Sequence, residues 1–143
     1  MSVQVEIVND VSDELVAGLN LLLPQLSTTA SPLTATDVEE LVASPATTVF
    51  IARDEGRIVG TLTLVVFAIP TGRRAWIEDV VVDEAARGSG VAAALTNAAI
   101  DESRRREVRT IDLTTRSSRE AAVRLYVRLG FERRETNVFR MNL

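Results

Sequence analysis

The chain has 143 residues, 46% of them apolar, and a net charge of −4 from 16 basic and 20 acidic side chains. That length gives one domain over residues 1–143 with a single core, and the acidic balance speaks against nucleic acid or an anionic membrane as partner. Histidine and cysteine are both absent, which excludes a Ser-His-Asp triad, a cysteine nucleophile, a His/Cys zinc site and a disulfide framework.

Met1 to Asp10 lacks the basic-then-apolar pattern of a secretory signal, and no apolar stretch approaches the roughly 20 residues of a membrane span; a cytoplasmic location is the expectation. Val3–Val8 alternates apolar and polar residues and reads as a half-buried strand. Ser12 caps a helix with the stripe Leu15, Val16, Leu19, Leu22 and Leu23, which should stop at Pro24. Gln25–Ala35 reads as a loop, and Thr36 with Glu39 as a capping box opening a short helix that turns Val38, Leu41 and Val42 inward.

Thr47–Arg53 is the next expected strand, Asp54-Glu55-Gly56-Arg57 a hairpin turn, Ile58–Phe67 a long strand and Pro70-Thr71-Gly72 a second turn. Trp76–Val82 reads as a strand, followed by a helix from about Gly90 to Arg106 with Val91, Ala94, Leu95 and Ala98 on one face. Thr110–Thr115 is predicted as a strand, and Ser117 with Glu120 as the box of a helix turning Ala122, Val123, Tyr126 and Leu129 to the core. Gly130 stands where a left-handed helix end is expected, and Glu132–Leu143 suggests two short strands. The order βααβββαβαββ implies an α/β fold: a mixed, mostly antiparallel sheet of about seven strands with helices on both faces.

Between the Trp76–Val82 strand and its helix lies Arg87-Gly88-Ser89-Gly90. A strand, a glycine turn and a helix N-terminus together offer several free N–H groups to one anion. A tight connection, with glycine supplying unusual backbone angles, is the other account of the same residues. Glu78 and Asp79 interrupt an apolar strand, and strict alternation sends them to opposite faces. Burial of an unpaired carboxylate is costly, so at least one faces a cleft, water or an arginine. Tyr126, the only tyrosine, reads by itself as a core aromatic. With no histidine or cysteine, acid–base work falls to Asp, Glu or Tyr.

Two motifs, in this element order, are similar to those of the GNAT superfamily of acetyl-CoA-dependent N-acetyltransferases. One is Arg87-Gly88-Ser89-Gly90-Val91-Ala92, matching Arg/Gln-x-x-Gly-x-Gly/Ala; the other is Ala122-x-x-x-Tyr126-x-x-x-Gly130-Phe131. The resemblance implies that Arg87 to Ala92 bind the pyrophosphate of acetyl-CoA. It also implies that the Val80, Val81 and Val82 backbone bonds the pantetheine arm where this strand splays from its neighbour after Val82. Glu78 would be the general base, with Asp79 the second choice, and Tyr126 would protonate the leaving thiolate. Arg119 stands where relatives carry a cofactor-contacting asparagine, and would pair with a CoA phosphate.

The implied activity is direct acetyl transfer from acetyl-CoA to a small-molecule or peptide amine in a ternary complex, without a metal. A non-catalytic acyl-CoA sensor is the rival. Arg73 and Arg74 offer a contact for an anionic acceptor, and the final strands a surface for pairing into a homodimer, as in many relatives.

Overall fold

A computed structural model describes residues 2–143. Its strands are β1 (Val3–Ile7), β2 (Thr47–Asp54), β3 (Arg57–Ile69), β4 (Gly72–Val82) and β5 (Thr110–Asp112). The helices are α1 (Asp13–Leu26), α2 (Ala35–Ala43), α3 (Val91–Arg105) and α4 (Glu120–Arg128), with a 3₁₀ turn at Glu84–Ala86. The strands form one open sheet in the order β1-β2-β3-β4-β5. Its first four strands pair antiparallel, and β5 lies parallel to β4. The mixed α/β architecture is as expected, but among the described residues the sheet has five strands, not seven.

The two missing strands are those expected in Glu132–Leu143, where no residue is paired. Phe139, Met141 and Leu143 alternate as a strand would, yet are 91%, 82% and 115% exposed. Alternation supplies a face and not a partner edge, and β5 ends at Asp112 instead of Thr115. The capping expectations also shift. Thr34 and Asp37, not Thr36 and Glu39, form the reciprocal box of α2. Arg119 caps α4 without a side-chain bond, so Ser117 and Glu120 form no box there. Helix α1 runs through Pro24 to Leu26 instead of stopping, and Ser12 caps it as expected.

Two apolar clusters sandwich the sheet. On one face, Leu15, Leu19 and Leu22 of α1 and Val38 of α2 meet Ile51, Ile58 and Val81. On the other, Val91, Leu95 and Ala99 of α3 meet Phe50, Leu62, Leu64 and Ile77. Gly60 sets the distance of α3: a Cβ there would stand 2.9 Å from Val91 Cγ1 and 3.3 Å from the Val81 carbonyl oxygen. The glycine brings the N-terminus of α3 down onto the end of β4. Arg53 ties β1 to α1, donating to Glu6 at 2.9 Å and to Glu14 at 2.8 Å.

Candidate functional site

Strand β4 is irregular on both edges. Against β3, Thr63 pairs with Glu78 and Thr61 with Val81, so Asp79 and Val80 share the single place opposite Leu62. This is a β-bulge, and Asp79 takes a left-handed φ of 48° within it. The bulge cancels the expected alternation. Ile77 and Val80 both join the α3-side core, and Glu78 and Asp79 between them are both exposed. By its register with Thr63 and Val49, Glu78 belongs to the row that faces α1 and α2.

Against β5, pairing covers Arg74 to Trp76 only. From Ile77 to Val82 the strand has no neighbour on that side, so the split opens six residues earlier than the resemblance implied. Backbone N–H and C=O groups along that edge are left to bond something else. Val80 and Val82 are half-buried and Val81 is buried, so the side chains anchor the strand while its open edge faces outward.

At the end of β4, Asp83 N donates to the Val59 carbonyl at 2.8 Å, and the 3₁₀ turn leads into the exposed segment Arg87 to Gly90. Gly88 and Gly90 both have φ of 80°, which reverses the chain into α3. The first intrahelical bond of this end runs from Ala94 to the Gly90 carbonyl. The amides of Gly88 to Ala93 therefore lack backbone acceptors, and they sit at the positive end of a 15-residue helix. Val91 is buried and Ala92 half-buried, while Ser89 and Arg87 are exposed beside the amides. Arg87 Nε reaches the Val82 carbonyl at 3.4 Å, and Asp83 caps the Ala85 amide. The donor set suits a pyrophosphate: neutral amides in a row, one hydroxyl and one guanidinium.

Tyr126 lies on α4. Its ring meets Phe131 edge-on, with centroids 5.7 Å apart, and its carbonyl accepts from the Phe131 amide at 2.9 Å. Gly130 turns the chain between them with φ of 105°. Burial pushes the Tyr126 phenol above the usual tyrosine range, partly opposed by the charge of Arg119. The phenol keeps its proton at neutral pH, as an ordinary tyrosine does. With Trp76, Ile111 and Asp112 it lines a cleft of about 1240 Å³ between β5, α3 and α4. Glu78, Val80 to Val82 and Arg87 to Ala92 are not among the residues lining that cleft. The structure therefore gathers the strand and the glycine loop at one end of β4, and carries Tyr126 on the far side of the β4–β5 split.

Arg119 is exposed at the first turn of α4. Arg73 is engaged elsewhere, donating to the Arg106 carbonyl at 2.7 Å. Two residues escaped the sequence reading. Gly60 has no motif around it, and Gln25, within an expected loop, accepts from the Glu84 amide at 2.9 Å. Among the described residues no group of three or more Asp, Glu, His or Cys is placed to hold a metal, and no helix is long and apolar enough to cross a membrane.

The fold aligns over its whole length with solved structures. A protein described as a transcriptional regulator from Bacillus halodurans C-125 is 25% identical, with 99% of this chain and 100% of that one covered and a TM-score of 0.82. An aminoglycoside acetyltransferase from an uncultured soil metagenomic sample, in complex with trehalose, is 19% identical over 99% and 96%, with a TM-score of 0.87. AAC(6')-Iy, bound to the bisubstrate analogue CoA-S-monomethyl-acetylneamine, is 19% identical over 100% and 99%, with a TM-score of 0.83. No curated protein matches the chain. The Acetyltransferase (GNAT) family pattern matches residues 15–131, and the chain belongs to this acetyl-CoA-using family.

Proposed function

We propose that the protein moves an acetyl group from acetyl-CoA directly to a primary amine while both substrates are bound. The observation that carries this reading is the run of acceptor-free amides from Gly88 to Ala93 at the end of a strand whose outer edge is open. Those amides and Arg87 hold the pyrophosphate, with Arg119 as a further contact for coenzyme phosphate. The Ile77–Val82 edge lies along the pantetheine arm, and its N–H groups donate to the thioester carbonyl oxygen as negative charge develops there. When bound, the thioester supplies an activated acyl group with a tolerable leaving thiolate.

The chain's acid–base side chains divide the proton work. An amine arrives as ammonium and must lose a proton before attack; Glu78, exposed at the bulge, takes it directly or through one water. Tyr126, a phenol that is protonated at neutral pH, gives its proton to the departing sulfur. The chain contains no cysteine, so the acyl group does not rest on the enzyme as a thioester. Most of the acceleration comes from holding the two substrates together.

The acceptor we infer is a cationic amine. The residues before Arg53 carry seven carboxylates and no basic side chain, and they build β1, α1, α2 and the loop between the helices. Arg53 pairs with Glu6 and Glu14, and among the described residues Asp10, Asp13, Asp37, Glu39 and Glu40 remain without an arginine partner. The Glu78 row of β4 faces those helices. Such a field draws in polyamines and aminoglycosides and repels phosphorylated sugars. Arg73, which would favour a phosphate, is already bonded to the Arg106 carbonyl.

Thiol release tests the reading: purified protein, acetyl-CoA and a panel of amines, followed with a thiol reagent. Polycationic amines should turn over, and Glu78→Gln should lower the rate at neutral pH by about a hundredfold. Full activity in Glu78→Gln removes that residue from the mechanism. Coenzyme binding without turnover on any amine assigns the protein as an acyl-CoA sensor instead.

A further inference from the structure

We propose that Gln25 is a positioning residue for the coenzyme: from the C-terminal end of α1 it holds the turn out of which the Arg87–Gly90 loop departs. The assignment rests on the acyl-CoA reading above. The Glu84 amide donates to Gln25 Oε1 at 2.9 Å across 59 residues of sequence. The other end of the same side chain, Nε2, donates to the Leu21 carbonyl at 3.4 Å. Both ends of the amide group are engaged, so its orientation is set.

Its base is firm as well. Leu22, three residues earlier, is fully buried, and Leu26 packs on the same cluster. The continuation of α1 through Pro24 is what places Gln25 on a helix and not in a loop. Most other ties on the turn are local. Asp83 caps Ala85 by its side chain and accepts from Ala86 at 2.8 Å, and the Arg87 amide reaches the Glu84 carbonyl at 3.4 Å. The Asp83 amide bonds β3, within the same sheet. Gln25 alone among these contacts reaches the turn from a helix on the opposite face. Beyond Arg87 come Gly88 and Gly90, where no side chain exists to hold the loop. The direction fixed at Glu84 therefore passes through Ala85 to Arg87 into the amides that meet the pyrophosphate. Loosening it should spread those amides and weaken binding without touching the reacting atoms.

The test is Gln25→Met, which keeps length and helix propensity and removes the acceptor. Calorimetry with coenzyme A should show Kd raised about threefold to tenfold, the worth of one hydrogen bond. Amide exchange followed by NMR should speed up at Glu84. Leu15→Ala is the control: it removes buried packing at the opposite end of α1, so it should lower Tm yet leave the coenzyme Kd within about twofold. An unchanged Kd in Gln25→Met overturns the assignment. So does a Leu15→Ala variant that weakens the coenzyme as much, since that reduces Gln25 to ordinary support of α1. Wild-type protein giving no heat with coenzyme A overturns the coenzyme reading itself, and this role with it.

Discussion

Helices α3 and α4 each carry a part of the proposed chemistry, and they are held in opposite ways. In α3, Val91, Leu95 and Ala99 are at most 1% exposed, and Gly60 lets the helix press on the sheet. In α4 no residue is buried, and Tyr126 rests on Phe131 beside an open cleft. The difference follows from what each helix offers. A row of main-chain amides is useful only if the whole backbone stays in register, which requires a packed layer behind it. A single phenol needs only its own ring placed. Substitutions under α3 should therefore cost stability and binding together, whereas those on α4 should separate activity from stability.

The largest effect is expected from Leu95→Ala. Leu95 is completely buried, and its removal leaves a cavity between α3 and β3 beside Gly60. Unfolding in denaturant should show a loss of about 2–5 kcal/mol, and coenzyme affinity should fall with it. A loss below about 1 kcal/mol breaks the contrast with α4. Gly90→Glu comes next. It places a carboxylate among the coenzyme-facing amides at a φ of 80°, where an L side chain is strained by about 1–2 kcal/mol. Nothing within 4 Å blocks the added atom, so folding should survive. Calorimetry should show coenzyme binding weakened on the order of a hundredfold through charge and lost loop geometry. Gly90→Ala separates the two causes, since it carries the strain alone.

Tyr126→Phe sharpens the other side. Turnover should fall about tenfold to a hundredfold, with coenzyme Kd unchanged and stability altered by less than about 1 kcal/mol. The pH profile carries an independent sign. Burial raises the phenol's pKa, so the folded state keeps its proton when the unfolded chain would begin to lose it. The acid should go on acting through the ordinary tyrosine range and fail only above it, and stability should fall as pH rises from the ordinary value through the raised one. A basic limb below pH 9 in kcat, persisting in Tyr126→Phe, assigns that limb to another group.

How far the residues announced these roles depends on where their partners lie in the chain. The glycine loop was legible because strand, turn and helix are consecutive, and local backbone chemistry fixes all three. The bulge at Asp79 was not: alternation is a local rule, and the extra residue exists only relative to Leu62 on another strand. Gln25 was hidden for the same reason, since its partner Glu84 lies 59 residues on. Pro24 was misread as a stop because a proline's missing amide forbids one bond, while burial of Leu22 and Leu26 on either side holds the helix together. For α4 the periodicity marked Ala122, Val123, Tyr126 and Leu129 as a core face, but that face is only half-buried and most of it lines a cleft, because β5 ends at Asp112.

The C-terminal segment gives the smallest and cleanest break. Phe139 is 91% exposed and unpaired, though the alternation around it looks like a strand's. Phe139→Ser removes no packing, and the unfolding free energy should stay within about 0.5 kcal/mol of wild type. Coenzyme affinity and turnover should be unchanged as well. A loss of 2 kcal/mol or more would mean that the ring is buried in solution, against β5 or against a second copy of the chain. Gel filtration at two protein concentrations separates these: a stability loss that leaves the elution volume unchanged places the segment on its own sheet, completing the strands that the alternation implied. Either result would close the cleft beside Tyr126 and erase the contrast between the two helices, which is why this mild substitution probes the comparison more sharply than a core deletion.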